Sequence, residues 1–297
     1  MTPATDYFDK GAVVEEWADV RFFRPAGLVV ARLAARIGLT ADQLTVLSLL
    51  TGLLAGRLLF YPSVALNAAG VAMFLVSDVF DSSDGQLARM RGTSTRFGRI
   101  LDGTADNLRF ANLYIHLACR LIFAGHSAGL MIPLMFAAGI AHIYQSTSVD
   151  FMKQLYLHIA GNGHGEMDLP EDIDAMQPVS RMNKFEVWLY RPYVTRYARL
   201  FPQSLAVVRV LRRHPDNDAI GPAWREAERG PIRATVWIAQ NIRFVLMAVT
   251  IVPGWPEAFL WITAVPMTIY LAGLISVHER RARTLLATLP PHLAEAD

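Results

Sequence analysis

Six stretches of this chain are dominated by apolar side chains: residues 44–60, 65–80, 108–123, 128–144, 234–252 and 258–277. A helix needs roughly 20 mostly apolar residues to cross the hydrocarbon core of a bilayer. Each stretch approaches that length once its more polar flank is counted. The pattern predicts an all-α fold, a polytopic membrane helical bundle of six transmembrane helices. Ahead of the first stretch, residues 13–39 interleave apolar and Arg positions (RFFRPAGLVVARLAARIGL). A helix there has an apolar face with Arg24, Arg32 and Arg36 elsewhere, the pattern of an amphipathic helix lying on an anionic membrane surface.

A polar stretch rich in Arg, Pro and Asp separates the fourth and fifth runs. The predicted organisation is an N-terminal segment (1–39), transmembrane helices one to four (40–155), a polar insert (156–230), helices five and six (231–277) and a tail (278–297). The connections at 61–64, 124–127 and 253–257 contain no Lys or Arg, whereas Arg89, Arg91, Arg96, Arg99, the insert and the tail from His278 to Arg283 are basic. Cytoplasmic loops carry the excess of Lys and Arg, so both termini and the insert are expected on the cytoplasmic side. Arg57 and Arg120 oppose that orientation mildly and are expected to snorkel.

Composition agrees with the pattern. Of 297 residues, 53% are hydrophobic and 18% charged, where soluble domains carry about 25% charged residues. The net charge of +2 discriminates little, and no nucleic-acid partner is expected. The single Cys119 rules out a disulfide framework or a Cys-based metal site. The polar, acidic start of the chain does not read as a signal peptide.

The chemistry gathers at the boundary between the second and third runs. Asp81 and Asp84 are three positions apart, Asp102 and Asp106 four, so each pair shares one face of a helix. If the two helices are antiparallel neighbours joined by residues 90–97, four carboxylates converge near the membrane interface. Without compensation they repel one another strongly in a low dielectric. One or two hard divalent cations, Mg²⁺ or Mn²⁺, are the simplest neutralisation, since both take oxygen ligands and leave positions open for phosphate. Gly85, Ala88 and Gly98 leave room beside the carboxylates for phosphates to approach the backbone, and Arg89 offers a planar fork of donors suited to a diphosphate. A lone Asp at a helix end is usually a cap or a solvated charge. Two pairs interleaved with Gly, Ala and Arg are not explained that way, and ionisable groups at membrane depth mark function.

These residues resemble the signature of the CDP-alcohol phosphotransferase family, D-x-x-D-G-x-x-A-R followed about eight residues later by G-x-x-x-D-x-x-x-D. Here the signature reads Asp81, Asp84, Gly85, Ala88, Arg89, Gly98, Asp102 and Asp106. The resemblance covers roughly residues 38–155. It implies six spans with a cytoplasmic site, metal ligation by Asp81, Asp84 and Asp102, with Asp106 a fourth ligand and also the general base, and a homodimer. The segment before the first span is similar to the family's T-P-N-x-x-T, here Thr40 to Thr45 with Asp42 in place of Asn, and implies a nucleotide contact at Thr45. The implied reaction moves a phospho-alcohol group from a CDP-activated donor, with CDP-diacylglycerol expected for a site at the bilayer boundary, to a hydroxyl acceptor, releasing CMP.

For the acceptor, His142, Gln145, Ser146, Asp150 and Lys153 recur at helical spacing on the fourth run. They form either the wall of a polar pocket or a set of interhelical hydrogen bonds. Asp78 either lines the same pocket or pairs with a neighbour. Arg109 and Arg243 are available for an acceptor phosphate, an aspartate or a lipid headgroup. A polyol or its phosphate, of inositol or glycerol type, is expected as the polar acceptor, and the stretch 145–157 resembles bacterial members near inositol-lipid synthesis. The aromatic and basic segment 188–197 is expected to anchor at the interface. His158, His164, Glu166 and Asp168 read as a solvated loop. Two rival functions remain: a soluble CDP-alcohol donating to a lipid acceptor such as diacylglycerol, and a divalent-metal transporter.

Overall fold

The computed structural model describes residues 14–93, 96–160, 167–175, 181–214 and 220–289. His164 and Glu166 of the 161–166 loop, and the ends of the chain before Val14 and after Leu289, lie outside the described residues. Among the described residues the secondary structure is helical, with no strand. The chain forms two compact units. One comprises Glu15–Ile143 and Gln240–Met267, the other Tyr144–Ala239 and the chain from Thr268.

The first unit opens with a π-turn at Asp19–Phe23 running into α1 (Arg24–Arg36). On α1, Leu28, Ala31 and Ala34 are buried while Val29 and Leu33 are exposed. Helix α2 (Ala41–Leu59) starts at a capping box: the Thr40 hydroxyl accepts from Gln43 N, and the Gln43 carbonyl accepts from Thr40 N. Two orphan donors of the first turn are satisfied reciprocally. Helix α3 (Val64–Arg91) is capped by Ser63 and ends at Gly92, whose φ of 63° only glycine adopts at little cost. Thr93 N closes that end by donating to Ala88 O at 2.9 Å. Helices α4 (Arg96–Phe123) and α5 (Ala128–Ala160) follow. Within the first unit α2 packs closely on α3 and α4 through small residues. A Cβ at Gly56 would meet Asn112 Nδ2 at 2.2 Å, and one at Gly70 would meet Leu59 Cγ at 2.8 Å. Close approach through small side chains is how helices associate where lipid offers no hydrophobic driving force. Phe74, Phe110, Tyr114, Met247 and Phe259 fill the core.

The second unit contains the later part of α5 with α6 (Pro170–Ala175), α7 (Arg181–Leu200), α8 (Pro202–Arg213) and α9 (Ile220–Ala234). Its core holds Phe151 stacked between Tyr197 and Phe201, with Trp224 fully buried. The 188–197 segment therefore divides its work. Trp188 is exposed, but Val194 and Tyr197 are core residues because helical spacing turns them onto α5. A 3₁₀ turn (Thr235–Ile238) and the extended Ala239 then interrupt the chain before α10 (Gln240–Leu246) and a π-turn (Met247–Ile251) of the first unit. Helices α11 (Pro256–Ala264) and α12 (Pro266–Thr288) follow.

Among the described residues, five helical segments are long and apolar enough to cross a membrane: Ala41–Leu59, Val64–Arg91, Ala128–Ile159, Ile220–Ile251 and Pro256–Thr288. The run 108–123 lies in α4, which carries Asp106, Arg109 and Arg120 and is not among the five. Arg120 does not snorkel. It is buried and donates to Leu59 O at 3.0 Å and to Asn67 Oδ1 at 3.1 Å, while Asn67 donates to Ile251 O. Arg57 instead lies over the Phe60 and Tyr61 rings, 4.8 Å from each centroid.

Candidate functional site

The site residues of the first unit sit on α2, α3 and α4. Helical spacing puts Ser77, Asp81 and Asp84 on one side of α3, and Asp102, Asp106 and Arg109 on one side of α4. Thr45, Ser48 and Gly52 of α2 face the same region. The Asp102 and Asp81 carboxyls contact one another, and Asp84 lies close enough to interact with both. The two aspartate pairs thus meet in one unit, with α2 packed closely on both α3 and α4.

Arg109 organises one side of this cluster. It is 1% exposed, and its Nη2 meets Asp81 Oδ1 at 3.1 Å and pairs with Asp106 Oδ1 as well. Its Nη1 donates to Ser77 Oγ at 2.7 Å and Ser48 Oγ at 2.9 Å. The side chain named as a possible acceptor ligand is therefore turned inward onto carboxylates. The physical reason is local: at three residues after Asp106 on a helix, the guanidinium falls beside that carboxylate.

On the other side, Thr45 donates its hydroxyl to Asp84 Oδ2 at 2.5 Å. The residue expected at the nucleotide thus also orients an aspartate. Gly85 lies beneath Arg89, whose Nη1 would be 3.3 Å from a Cβ there, and Arg89 itself is exposed. Ala88 is half-buried, and Gly98 begins the second aspartate turn on α4. Helix α1 packs against this stretch: a Cβ at Gly27 would meet Gln86 Nε2 at 2.8 Å and Ser82 Oγ at 2.9 Å.

Asp78 pairs with a neighbour, accepting from the Gln240 amide. Of the acceptor stripe, His142 is buried, its Nδ1 2.8 Å from the Tyr114 hydroxyl and its ring 4.1 Å from the Phe110 centroid. That is interhelical bonding. Gln145 and Lys153 belong to the second unit, where Gln145 donates to Thr268 Oγ1 at 3.0 Å. Asp150 there accepts from Gln154 and from the Tyr193 hydroxyl.

Sequence reasoning missed Ser48, Ser77, Gly52 and Gln240. For the first three a signal existed, since Thr45, Ser48 and Gly52 recur at intervals of three and four, as do Ser77, Asp81 and Asp84. Gln240 had none, being 162 residues from its partner.

The donor set is one that a divalent cation fits. Five carboxylates share one region with the buried guanidinium of Arg109, and Asp102 Oδ1 and Asp106 Oδ1 are buried without a hydrogen-bond partner among the described residues. All the groups are hard oxygen donors. Among the described residues no three His, Cys, Asp or Glu side chains are drawn into one tight ligand set.

Comparison with known proteins bears on the same residues. Residues 38–154 match the family model of CDP-alcohol phosphatidyltransferase, so this stretch is a domain of that family. A phosphatidylinositol phosphate synthase of Mycobacterium marinum is 42% identical over 125 residues, covering 42% of this chain and 50% of that protein. One of Mycobacterium tuberculosis is 38% identical over 107 residues, 36% of this chain and 48% of that protein. An archaetidylinositol phosphate synthase of Pyrococcus horikoshii is 34% identical over 89 residues, 30% and 46% respectively. The chain spans about half the length of the curated relatives it matches. With five helices of spanning length and this domain, the protein is an integral membrane protein.

Proposed function

We infer that this chain, with a CDP-alcohol phosphatidyltransferase domain at residues 38–154, transfers a phosphatidyl group from CDP-diacylglycerol to a hydroxyl of an inositol phosphate, releasing CMP, in phospholipid biosynthesis. The observation that carries the reading is the meeting of Asp81, Asp84, Asp102 and Asp106 in one unit, at the positions of the family signature. The acceptor follows from the relatives' names. A single phosphatidyl transfer that yields phosphatidylinositol phosphate requires an inositol that already carries its phosphate.

In this reading Asp81, Asp84 and Asp102 hold Mg²⁺ or Mn²⁺, with Asp106 at their edge. A divalent ion bound there supplies charge neutralisation to the diphosphate and to the leaving phosphate. Arg89, above Gly85, receives the donor's diphosphate together with Ala88, Gly98 and Thr45. The acceptor oxygen attacks the β-phosphorus, the new P–O bond forms, and the bond to the bridging oxygen breaks with its electron pair leaving on CMP. Asp106 takes the hydroxyl proton on Oδ2, because Arg109 holds Oδ1. The run 108–123 in α4 is the sixth span, α1 lies at the membrane interface, and the basic segments put the site and both termini on the cytoplasmic side.

The test is CMP release by the full chain in lipid nanodiscs with CDP-diacylglycerol, Mg²⁺ or Mn²⁺, and inositol phosphate, inositol or glycerol phosphate. Release dependent on inositol phosphate and abolished by Asp106→Asn is expected. Release only with free inositol or glycerol phosphate would move the acceptor assignment. Turnover only with a soluble CDP-alcohol and diacylglycerol would reverse the substrate polarity.

A further inference from the structure

We propose that the exposed side of α9, where Arg229 and Arg233 stand two turns and one turn before Trp237, binds the headgroup of an anionic phospholipid. The inference concerns the second unit alone and does not rest on the transfer reaction.

Spacing sets the row. Arg225, Arg229 and Arg233 recur at intervals of four, so they share one side of α9, and all three are exposed. The adjoining row of Trp224, Glu228 and Ile232 is buried, and Glu228 is turned inward onto His278 of α12. Like charges one turn apart on a helix repel. Elsewhere in this unit Arg191, Arg209 and Arg212 are answered by Asp174, Glu171 and Asp172. Among the described residues, neither Arg229 nor Arg233 pairs with a carboxylate. Glu226, also exposed on α9, lies farther from Trp237 than either arginine. An anion from outside the chain is the complement this row lacks.

The row ends where aromatic and apolar side chains come to the surface. The 3₁₀ turn after α9 exposes Val236 and, at 62%, Trp237. Helix α12 runs antiparallel beside α9: Tyr270 donates to Ala234 O at 3.0 Å, His278 meets Glu228, and Arg281 donates to Ala227 O. Ile269 and Tyr270, both exposed, therefore stand level with the end of α9. In an integral membrane protein, exposed Trp and Tyr beside apolar side chains mark the headgroup zone. At 1.5 Å per residue, Arg233 lies about 6 Å and Arg229 about 12 Å from Trp237 along the axis. The headgroup layer is about 5–8 Å thick on each side of the bilayer, and long arginine stems bend their guanidinium groups toward it. Each planar fork can give two N–H groups to one phosphate. The uncompensated positive charge then selects a lipid of net negative charge over a zwitterionic one.

The test is binding of phosphatidylglycerol and of phosphatidylcholine to the full chain in detergent, followed by native mass spectrometry. Wild type is expected to prefer phosphatidylglycerol. Arg229→Gln with Arg233→Gln should weaken phosphatidylglycerol binding about 30-fold and leave phosphatidylcholine unchanged. Arg280→Gln with Arg283→Gln removes two exposed charges of α12 that lie farther from Trp237, past the level of Ala227. That pair should weaken binding less than about threefold, because charges beyond the headgroup layer are screened. Equal losses in the two double variants would show a diffuse field in place of a site and overturn the inference. In nanodiscs, brominated phosphatidylglycerol should quench Trp237, so Trp237→Phe should lose that part of the quenching; unchanged quenching would place the lipid elsewhere and overturn it as well. Equal binding of the two lipids by wild type would overturn it even if the Arg229 and Arg233 variant fails to fold.

Discussion

Thr45 on α2 donates its hydroxyl to Asp84 on α3 at 2.5 Å, and both side chains are buried. The bond joins the segment before the first span to the family signature and ties the Asp84 carboxyl to α2. A hydrogen bond to a buried charged group contributes about 1.5–3 kcal/mol. Thr45→Val should therefore weaken Mn²⁺ binding by roughly 10- to 100-fold, with Thr45→Ser restoring most of it. Binding isotherms of the three proteins check this.

Asp102 has the opposite economy. Its Oδ1 is buried without a hydrogen-bond partner among the described residues, and its carboxyl faces Asp81. Buried like charges cost stability and are retained where function needs them. Asp102→Asn should lower CMP release by about a thousandfold or more and, in metal-free protein, raise the melting temperature. A thermal melt with chelator tests the second half, and a lower melting temperature would contradict it.

Gly52 gives a steric prediction. A methyl there would press on the Arg109 stem at 2.5 Å. Overpacking of this kind costs about 1–3 kcal/mol, and here it also displaces the guanidinium from Asp81 and Asp106. Gly52→Ala should melt lower and lose activity together. Gly103→Ala, with nothing within 4 Å of its Cβ, should leave the melting temperature the same or higher.

In the second unit, His278 Nδ1 and Glu228 Oε2 lie 2.5 Å apart with both side chains fully buried. Removing one member of a buried pair costs about 3–5 kcal/mol because the other loses its partner. His278→Phe should destabilise strongly, and His278→Phe with Glu228→Leu less than either single change suggests. Melting curves of the single and double variants measure that coupling.

The Glu171 carboxylate accepts two hydrogen bonds from Arg209, at 2.8 and 3.2 Å, and these hold it below its usual range. A folded-state value below the unfolded one contributes stability above the unfolded value, lost as pH falls through the folded one. The melting-temperature gap between wild type and Glu171→Gln should be present near neutral pH and close below about pH 4. The pair is exposed, so the gap should be small and shrink with salt.

The apolar runs, the aspartate pairs and the family signature were legible in the chain because they are local properties. Apolar runs state their own length, and intervals of three and four state which residues share a face. Asp81 with Asp84, and Asp102 with Asp106, needed nothing beyond their spacing. The capping box at Thr40 and Gln43 is equally local, as is the positive-φ end of α3 at Gly92. Spacing also placed Arg109 near Asp106, but not whether it would reach a substrate, the membrane or that carboxylate.

Tertiary packing decided that. Ser48 and Ser77 lie 61 and 32 residues from Arg109, and Gln240 lies 162 from Asp78. Hydrogen bonds over such separations are set by which helices become neighbours, and residue spacing carries no record of that. The same holds for the missing side chain at Gly52, whose purpose appears only when the arginine stem of α4 passes over it. A buried ion pair is chosen by geometry and desolvation together, and both belong to the folded chain.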